Sequence, residues 1–266
     1  MYPEIITNRS ILKISGNDTD SFLQSLVTND ISHAKDDLVY AALLSPKGKY
    51  LFDFFISSYP GGYLIDVSSD QAYKLIQRLN LYKLRADVNI EETNIKVGRG
   101  LELIPENALQ DPRSHMLGWR VYDPIKTQSA TIDWDKIRVE NCIPETGIEL
   151  IADETYILEA YFEILSGVDF RKGCYVGQEV TARMKLKHKI PKIILPLIGD
   201  RLIDENTESQ DLYGDDEVIG KLVAKRGLYY FALVDVRKIP DKGIKNLKLN
   251  GDDCNFSLNR QSWLTY

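Results

Sequence analysis

The sequence is poor in the residues that build metal-stabilised or disulfide-rich folds. Its 266 residues include only three cysteines, Cys142, Cys174 and Cys254. They lie far apart, and none forms a C-x-x-C pair or stands near a histidine at metal-ligand spacing. This pattern argues against a dedicated zinc site, so we predict no metal site. The sparse thiols are typical of a reducing compartment.

Histidines, nucleotide-binding glycine motifs and long apolar runs are also scarce. The histidines His33, His115 and His188 leave few candidates for serine or cysteine catalysis with a histidine base. No glycines have the spacing of a P-loop or a dinucleotide-binding motif. No apolar run approaches the roughly 18 residues of a membrane helix, and residues 1–10 resemble neither a signal peptide nor a transit peptide. We therefore predict a cytoplasmic protein with no membrane partner.

The overall charge excludes another class of partner. Lys and Arg number 33 against 39 Asp and Glu, which gives a net charge of -6. Strong, general binding to nucleic acid is therefore not expected, although a local basic patch is allowed. With 44% apolar residues, the chain has enough material for a sizeable core in one large domain or two smaller ones.

The first third of the chain mixes helix and strand patterns. Asp18 or Thr19 can cap a helix that ends near Asn29. Two apolar runs follow, Leu38 to Leu44 and Tyr50 to Ile56, and the turn between them contains Pro and Gly, which predicts a β-hairpin. A further strand and an amphipathic helix come next, without regular alternation of strand and helix. We therefore predict an α+β fold with largely antiparallel sheets.

The second half predicts one helix and then a strand-rich region. Asp153 is a candidate cap for a helix whose apolar stripe extends to Leu165. From Lys192 onward, short strands separated by turns suggest a small β-barrel or sandwich, and the acidic segment Asp200 to Asp216 is predicted as a surface loop. The change of pattern predicts two domains, 1–189 and 190–266.

The densest local signal is the segment Phe170 to Arg183. Its glycines, Gly173 and Gly177, allow backbone conformations or close approaches that a Cβ would hinder. Nearby cations favour the thiolate of Cys174, so it is the one thiol that we predict to be reactive. The alternative is an ordinary tight loop between two elements, in which Cys174 is packed and inert.

The same segment carries a specific resemblance. Lys172-Gly173-Cys174-Tyr175-Val176-Gly177-Gln178-Glu179 resembles the K-G-C-Y-x-G-Q-E signature of the YgfZ-type folate-binding proteins, relatives of the T-protein of the glycine cleavage system. Supporting motifs resemble the same family in order along residues 11–198. They are Leu12 to Gly16, Phe22 to Gln24, Thr28 to Asp30, Ser45 to Gly48 with Asp53, Leu81 to Arg85, Gly118 to Arg120, and Arg138 to Glu145.

This resemblance implies a fold, a ligand and a role. The fold would have three modules around a central folate cavity, with residues 1–189 as two α+β modules and a C-terminal β-barrel. The ligand would be tetrahydrofolate, with one glutamate or several. The partners would be iron–sulfur client or assembly proteins, notably of the four-iron type, with support of tRNA modification as one consequence. The implied catalytic residues are Cys174 and Asp53, and the implied cofactor-binding residues are Asp53, Glu140, Trp119, Arg120, Lys172, Gly173, Tyr175, Gln178, Glu179 and Arg183.

Two acids carry the predicted folate chemistry. Strand alternation places Asp53 on the face shared with Leu51 and Phe55, where a carboxylate is costly unless it is solvated, paired or in a cavity. Its position resembles that of the acid near the reactive folate nitrogen in the T-protein. Glu140 resembles the acid that binds the aminopterin edge with both carboxylate oxygens. The alternatives are a half-exposed strand residue for Asp53 and a solvated surface residue for Glu140.

A basic run and two departures from the family pattern complete the motif region. Arg183, Lys185, Lys187, Lys189 and Lys192 suit an anionic polyglutamyl tail or RNA, or are simply a solvated face. Relatives commonly carry an Arg-Gly pair where this chain has Lys187-His188-Lys189. They also carry a Gly where this chain has Cys142.

Three functions remain open from the sequence. The first is a tetrahydrofolate-binding assembly factor for iron–sulfur proteins, with no conventional catalytic activity expected. The second is an aminomethyltransferase-type one-carbon enzyme. The third is a tRNA- or protein-binding module with a vestigial folate cavity. The signature at Lys172 to Glu179 favours the first.

Overall fold

The structure is a computed structural model that describes residues 2–187, 190–203, 210–215, 217–239, 246–249 and 254–259. The chain forms two compact units. The first contains Met1–Ile132, Ala152–Glu154 and Phe162–Ala182, and the second contains Asp133–Ile151, Thr155–Tyr161 and Arg183–Tyr266. The division into domains 1–189 and 190–266 stays a prediction, and residues 188 and 189 lie outside the described residues.

Strands and helices alternate irregularly along the described chain. In chain order the strands are β1 (Glu4–Ile6), β2 (Arg9–Ser15), β3 (Val39–Leu44), β4 (Tyr50–Tyr59), β5 (Gly62–Ser68), β6 (Asn89–Glu92), β7 (Val97–Gly100), β8 (Leu109–Gln110), β9 (Trp119–Tyr122), β10 (Lys192–Gly199), β11 (Asp211–Gly214), β12 (Glu217–Arg226), β13 (Tyr229–Asp235), β14 (Leu247–Leu249) and β15 (Asn255–Leu258). The α-helices are α1 (Thr19–Leu26), α2 (Ser69–Lys83), α3 (Trp134–Glu140) and α4 (Gln178–Leu186).

The first unit is built on a five-stranded sheet in the order β3-β4-β5-β2-β6, with every pair antiparallel. Helices α1 and α2 supply Leu23 and Leu75 to a core that also contains Ile14 and Phe54 of the sheet. This burial is the main source of the unit's stability, since apolar area removed from water contributes roughly 25 cal/mol per Å². A four-stranded antiparallel sheet, β1-β7-β9-β8, belongs to the same unit.

The predicted hairpin is confirmed, with one local difference. Strands β3 and β4 pair across the Ser45 to Gly48 turn, but the register shifts so that Leu43 faces Phe52 while Leu44 faces Tyr50. Leu51 is the extra residue of this bulge and packs in the hydrophobic core. Strict alternation therefore fails at Leu51, and this residue does not lie with Asp53.

The second unit contains the predicted barrel. Strands β10-β13-β12-β11-β14-β15 form a closed antiparallel barrel whose interior includes Leu197, Tyr230 and Phe256. Closure removes the unpaired edges of the sheet. Within the segment predicted as the acidic loop Asp200 to Asp216, residues Asp211–Gly214 instead form strand β11, because they pair with both β12 and β14.

The helix predicted from Asp153 to Leu165 is wrong. The structure has only a 3-10 turn at Ile157–Ala160. Asp153, Tyr161 and Ser166 all have positive φ angles, of 61°, 60° and 54°, which an α-helix does not accommodate. The apolar spacing that suggested a helix instead anchors an irregular segment, in which Ile157, Ala160 and Phe162 are buried.

The α+β class and the C-terminal barrel are therefore confirmed. Among the described residues, no helix is both long enough and apolar enough to span a lipid bilayer.

Candidate functional site

The signature loop is attached to the end of helix α1 by a buried lysine. Lys172 is 7% exposed, and its Nζ donates to the backbone oxygens of Gln24 at 2.8 Å and Val27 at 2.5 Å. These carbonyls lie at the C-terminal end of α1, where helix carbonyls lack intrahelical donors and a cation is favoured. Burial lowers the pKa of Lys172 to about 8, although Asp30 and Asp169 oppose the shift. Its predicted role as a folate ligand stays a prediction.

The Thr28-Asn29-Asp30 motif holds the start of the same loop. Thr28 Oγ1 donates to the oxygen of Gly167 at 2.6 Å, and the nitrogen of Asp169 donates to the oxygen of Thr28 at 3.1 Å. Asn29 Nδ2 donates to the oxygens of Tyr40 at 2.8 Å and Ser166 at 2.7 Å. These hydrogen bonds join segments about 140 residues apart in sequence, and the bond from Thr28 to Gly167 is buried. We call residues 167–177 the anchored loop.

The turn of the β3–β4 hairpin touches the other end of the anchored loop. Gly177 has a φ of 82°, and a Cβ placed there would lie 2.7 Å from the oxygen of Ser45 and 3.1 Å from the Cα of Gly48. Gly48 in turn approaches Val180, the side chain of which a Cβ would meet at 2.7 Å. Glycine at 177 is thus explained by its positive φ and its close approach to the backbone of the turn, and glycine at 48 by its φ of 73° and its contact with the Val180 side chain. A Cβ at Gly173 would meet no atom within 4 Å, so local packing does not explain this glycine.

Cys174 lies exposed on the anchored loop. Cys142 and Cys254 are buried, and burial raises the pKa of the Cys142 thiol. The alternative of a packed, inert Cys174 is therefore wrong, because an exposed thiol is accessible to reagents and a packed thiol is not. Whether Cys174 acts in the protein's function stays a prediction.

The remaining signature residues support the loop. Tyr175 is buried with its ring 5.2 Å from Lys172 Nζ, and burial raises the pKa of its hydroxyl to about 12. Gln178 begins α4, and Glu179 lies exposed in the first turn of that helix. The helix dipole stabilises a carboxylate at this end of a helix. Folate contacts by these three residues stay predictions.

Two aspartates and a histidine form a cluster that includes one residue of the anchored loop. Ligand atoms of Asp30, His33 and Asp169 lie within 4.8 Å of one another. Lys172 interacts electrostatically with both carboxylates, so the acids serve as its counter-charges. No local pattern predicts this cluster, because Asp169 is far from Asp30 and His33 along the chain.

Asp53 occupies a second polar site in the first unit. It is 6% exposed, and its carboxylate accepts hydrogen bonds from Tyr50 Oη at 2.7 Å and Tyr40 Oη at 3.1 Å. Burial, followed by the negative charge of Asp53, raises the pKa of the Tyr40 hydroxyl, which keeps it a donor at neutral pH. The half-exposed alternative for Asp53 is therefore wrong. We call Asp53, Tyr40 and Tyr50 the acid–tyrosine site.

Three arginines surround Phe55 on the same strand as Asp53. The guanidinium carbons of Arg120, Arg113 and Arg9 lie 4.0, 4.7 and 5.7 Å from the centre of the Phe55 ring. Such contacts combine cation–π attraction with stacking. Arg113 also lies 5.3 Å from the ring centre of Tyr40, which joins this arginine cluster to the acid–tyrosine site.

Two buried aspartates pair with the three arginines of this cluster. Asp66 accepts from Arg120 Nη1 at 2.9 Å and also pairs with Arg9. Asp111 receives two hydrogen bonds from the Arg113 guanidinium, at 2.9 and 2.8 Å. Burial acts to raise the pKa of Asp111, but Arg113 and Arg120 hold it below its ordinary value. Since these arginines are already paired, they form a rigid wall more than a free anion site.

Of the residues predicted from the Gly118-Trp119-Arg120 motif, only Arg120 joins this cluster. Trp119 is buried, and its indole N–H donates to the oxygen of Glu102 at 3.1 Å. The ring of Trp119 lies against Gly100, where a Cβ would meet it at 2.4 Å. Folate binding by either residue stays a prediction.

Glu140 and Arg183 belong to the second unit and are described with it. Glu140 is the last residue of α3 and is half-buried, with one carboxylate oxygen 3.6 Å from Lys136 Nζ. Its neighbour Arg138 is buried and pairs with Glu149 at 3.1 Å and Glu145 at 2.8 Å. Arg183 lies exposed on α4, and the basic-run residue Lys189 lies outside the described residues.

The first unit therefore offers chemistry suited to a reduced folate. The Asp53 carboxylate is a charged acceptor for N–H donors. The rings of Tyr40, Tyr50 and Phe55 are fully buried, so they enclose the carboxylate and offer no exposed face for stacking. A buried carboxylate of this kind matches the N–H groups of a pterin, while the paired arginines leave less free charge for a glutamate tail.

Comparison with solved structures defines the class of fold. The chain superposes on the aminomethyltransferase T of the glycine cleavage system from Bartonella henselae with a TM-score of 0.75, over 96% of this chain and 83% of that one. The two sequences are 15% identical, so the likeness concerns the fold. The protein thus has the T-protein fold, as the signature predicted.

Curated relatives are more specific. The chain is 30% identical over 225 residues to the iron–sulfur cluster assembly factor IBA57 homologue of Mycosarcoma maydis, covering 72% of this chain and 56% of the relative. It is 31% identical to the homologue of Neurospora crassa, covering 73% and 52%, and 26% identical to the factor of Mus musculus, covering 72% and 64%. The chain therefore spans less than two thirds of the length of these relatives. No protein-family model matches it. The predicted resemblance is confirmed, since the chain is similar in sequence to the IBA57 assembly factors and in fold to the T-protein.

These names correct one prediction. The relatives are named mitochondrial, so the predicted cytoplasmic location is wrong. The physical reason is that targeting signals are read by receptors as separate addresses, so the composition of a folded region does not encode its compartment.

Proposed function

We propose that this protein is a tetrahydrofolate-binding factor that assists the assembly or maintenance of iron–sulfur proteins, notably those with four-iron clusters. Its similarity to the IBA57 assembly factors supports the role, and the T-protein fold supports the ligand. The observation that carries the proposal is the anchored loop, which presents Cys174 to solvent on a backbone fixed at both ends.

The anchored loop would act as the contact point for cluster or client. A thiol on a fixed loop can meet an incoming protein or cluster without the entropy cost of ordering the loop first. Lys172 and Thr28 fix the near side of the loop, and Gly177 fixes the far side. In this role the cluster is cargo, and Cys174 is the residue that touches it.

The acid–tyrosine site would hold the pterin. Tetrahydrofolate supplies reduced ring nitrogens and an anionic glutamate tail. Asp53 would accept its N–H donors, and Tyr40 and Tyr50 would keep the carboxylate aimed at them. Arg113 supports Tyr40 from its other side and so has a positioning role. Contacts of Glu140 with an aminopterin edge and of the cations near the signature with a glutamate tail stay predictions.

Folate binding is tested by calorimetry. We expect tetrahydrofolate to give a binding isotherm and to raise the melting temperature of the wild type, since a ligand that binds only the native state stabilises it. Asp53→Asn should weaken binding, because the amide presents N–H groups where the carboxylate accepted. Asp37→Asn, at an exposed acid, is the matched control. The ligand is used at about millimolar concentration, some hundredfold above a typical ligand affinity. If the wild type then shows neither binding heat nor a shift in melting temperature, the folate site is rejected.

Assembly is tested separately, in cells that lack the gene. Wild type should restore four-iron enzyme activity, and Cys174→Ser should not, whereas Cys142→Ser should restore it as wild type does. Full activity with Cys174→Ser would show that the signature shapes the loop without using the thiol.

The fold itself favours one second candidate, a one-carbon enzyme of the aminomethyltransferase type. Tetrahydrofolate-dependent release of ammonia from an aminomethylated lipoyl carrier distinguishes it, because an assembly factor has no reason to release ammonia. The tRNA- or protein-binding alternative requires that folate titration gives no binding at all.

A further inference from the structure

Helix α2 presents a stripe of exposed apolar side chains away from the core. Its buried side carries Ala72, Leu75 and Leu79. On the opposite side, Tyr73 is 70% exposed and Leu81 is 69% exposed, eight residues apart and therefore on one helix face. Leu84, directly after the helix, is 87% exposed and continues the stripe. The exposed Gln77 lies between Tyr73 and Leu81 on the same face. We call Tyr73, Gln77, Leu81 and Leu84 the α2 stripe.

Leu84 is also held in an unfavourable backbone conformation. Its φ is 46°, in the left-handed region that penalises residues with a branched side chain. An exposed leucine gains no burial that offsets this cost in the isolated protein. Strained residues cluster at functional sites such as ligand clamps and switch regions.

The α2 stripe is flanked by positive charge. Lys74, Arg78, Lys83 and Arg85 stand against the single acid Asp70 within residues 69–85, a local net charge of four minus one, or +3, in a chain of net charge -6. Among the described residues, none of these four cations forms a salt bridge to a carboxylate. Elsewhere in the same unit, the buried arginines are paired with aspartates.

We propose that the α2 stripe is a docking surface for a partner protein whose surface carries carboxylates around an apolar pocket. Tyr73 and Leu81 would enter the pocket, and Lys74, Arg78 and Arg85 would meet the carboxylates at its rim. This arrangement of apolar anchors with a charged rim is the usual anatomy of protein interfaces. The inference does not depend on the proposed function, because none of these residues lies in the anchored loop or the acid–tyrosine site.

The composition of the stripe favours a protein over other anionic occupants. Tyr73 and the four cations would also suit a nucleic acid, for which stacking aromatics and cations are the usual elements. The exposed Leu81 and Leu84 gain nothing from a phosphate backbone, whereas an apolar pocket on a protein removes them from water. A membrane-surface helix carries a continuous apolar face, whereas the apolar face of α2 is already buried in the core.

The test places a photo-crosslinking amino acid at Tyr73 in the full-length protein, expressed in its native host. We expect capture of a partner through a segment rich in Asp and Glu, located by peptide mapping. The partner is then purified, and its affinity for the protein without the crosslinker is measured. Lys74→Glu/Arg78→Glu should weaken binding about tenfold or more at low salt, because charge reversal turns two attractions into repulsions.

Two further variants sharpen the result. Leu81→Ser/Leu84→Ser should also weaken binding, without lowering the melting temperature, because both side chains are exposed. Lys35→Glu/Lys96→Glu makes the same charge change at exposed lysines outside α2 and should bind as wild type does. Reversing the acids of the captured segment should restore binding to the Lys74→Glu/Arg78→Glu variant.

Other outcomes overturn the proposal. Capture of a second copy, with a dimer in sedimentation that charge reversal dissociates, would assign the surface to self-association. Charge-dependent binding to vesicles of phosphatidylcholine and phosphatidylglycerol would assign it to a membrane. No capture, or capture that charge reversal leaves unchanged, would show that the stripe is ordinary surface.

Discussion

The buried ammonium of Lys172 predicts an unusual dependence of stability on pH. Its pKa falls from 10.5 to about 8 in the folded protein because burial disfavours the charged form. Below about pH 8 Lys172 is protonated in both the folded and the unfolded protein, so the folded state bears the full cost of burying the charged ammonium. Between about pH 8 and 10.5 the unfolded chain binds more protons than the folded one, so stability rises with pH.

The size of the effect follows from the shift. The difference between 10.5 and about 8 corresponds to at most about 3.4 kcal/mol, at about 1.36 kcal/mol for each pKa unit. Partial screening by solvent at the loop reduces the expected gain to about 2 kcal/mol. Lys172→Met removes this titration together with the two hydrogen bonds to Gln24 and Val27. At pH 7 we expect the variant to be about 1–2 kcal/mol less stable, since unmet buried acceptors cost more than the ammonium's burial saves.

The assay is denaturant unfolding of wild type and variant from about pH 7 to about pH 10. The difference in unfolding free energy between wild type and variant should widen by about 2 kcal/mol across this range. The wild type gains stability as its buried ammonium loses the proton, and the variant has no such group. Lys35→Met, which removes an exposed lysine, controls for the loss of one charge. A gap that stays constant or narrows as pH rises would refute the buried-ammonium reasoning.

Three further predictions concern the same region. Gly177→Ala should destabilise the protein by about 2 kcal/mol more than Gly61→Ala, because both glycines have φ near 80° but only Gly177 would clash with backbone, and thermal unfolding of the two variants compares them directly. Brief iodoacetamide treatment should label Cys174 before Cys142 or Cys254, since only Cys174 is exposed; mass spectrometry that finds Cys142 or Cys254 first would contradict this. Any preference for polyglutamylated over monoglutamyl folate should shrink between low salt and about 0.5 M, as the Debye length falls from about 10 Å at 0.1 M toward 3 Å at 1 M; a salt-independent preference would reject tail binding by the signature cations.

Local signals predicted the elements that local physics controls. The turn at Ser45 to Gly48 and the apolar runs beside it specified the β3–β4 hairpin, and spacing of apolar residues specified α1 and α2. The same reasoning failed for Asp153 to Leu165, where positive φ at Asp153 and Tyr161 interrupts a helical pattern. Nothing in the residue types reveals that interruption, because tertiary contacts of Ile157 and Phe162 hold it.

The candidate site shows a similar division. The motif at Lys172 to Glu179 marked the loop, but its attachment to Gln24 and Val27 spans more than 140 residues and has no local signature. The pairs of Asp66 with Arg9 and Arg120 were missed for the same reason, since their members are 57 and 54 residues apart in sequence. Arg9 lies on a neighbouring strand of the same sheet, and Arg120 lies on the other sheet. Ion pairs across a fold depend on topology, and topology is what a single sequence specifies least directly.

The two polar sites of the first unit differ in a way that bears on function. Around Asp53, the carboxylate accepts hydrogen bonds from two tyrosines and the nearby arginines are paired with aspartates. Groups held in this way need little rearrangement when a ligand binds. On the anchored loop, the backbone is fixed while Cys174 remains exposed. An enzyme that completes its chemistry in a closed cavity gains nothing from a thiol outside it, whereas a factor that hands a cluster to another protein requires a reactive group at its surface. The exposed thiol therefore favours assembly over one-carbon transfer on a fold that the two functions share.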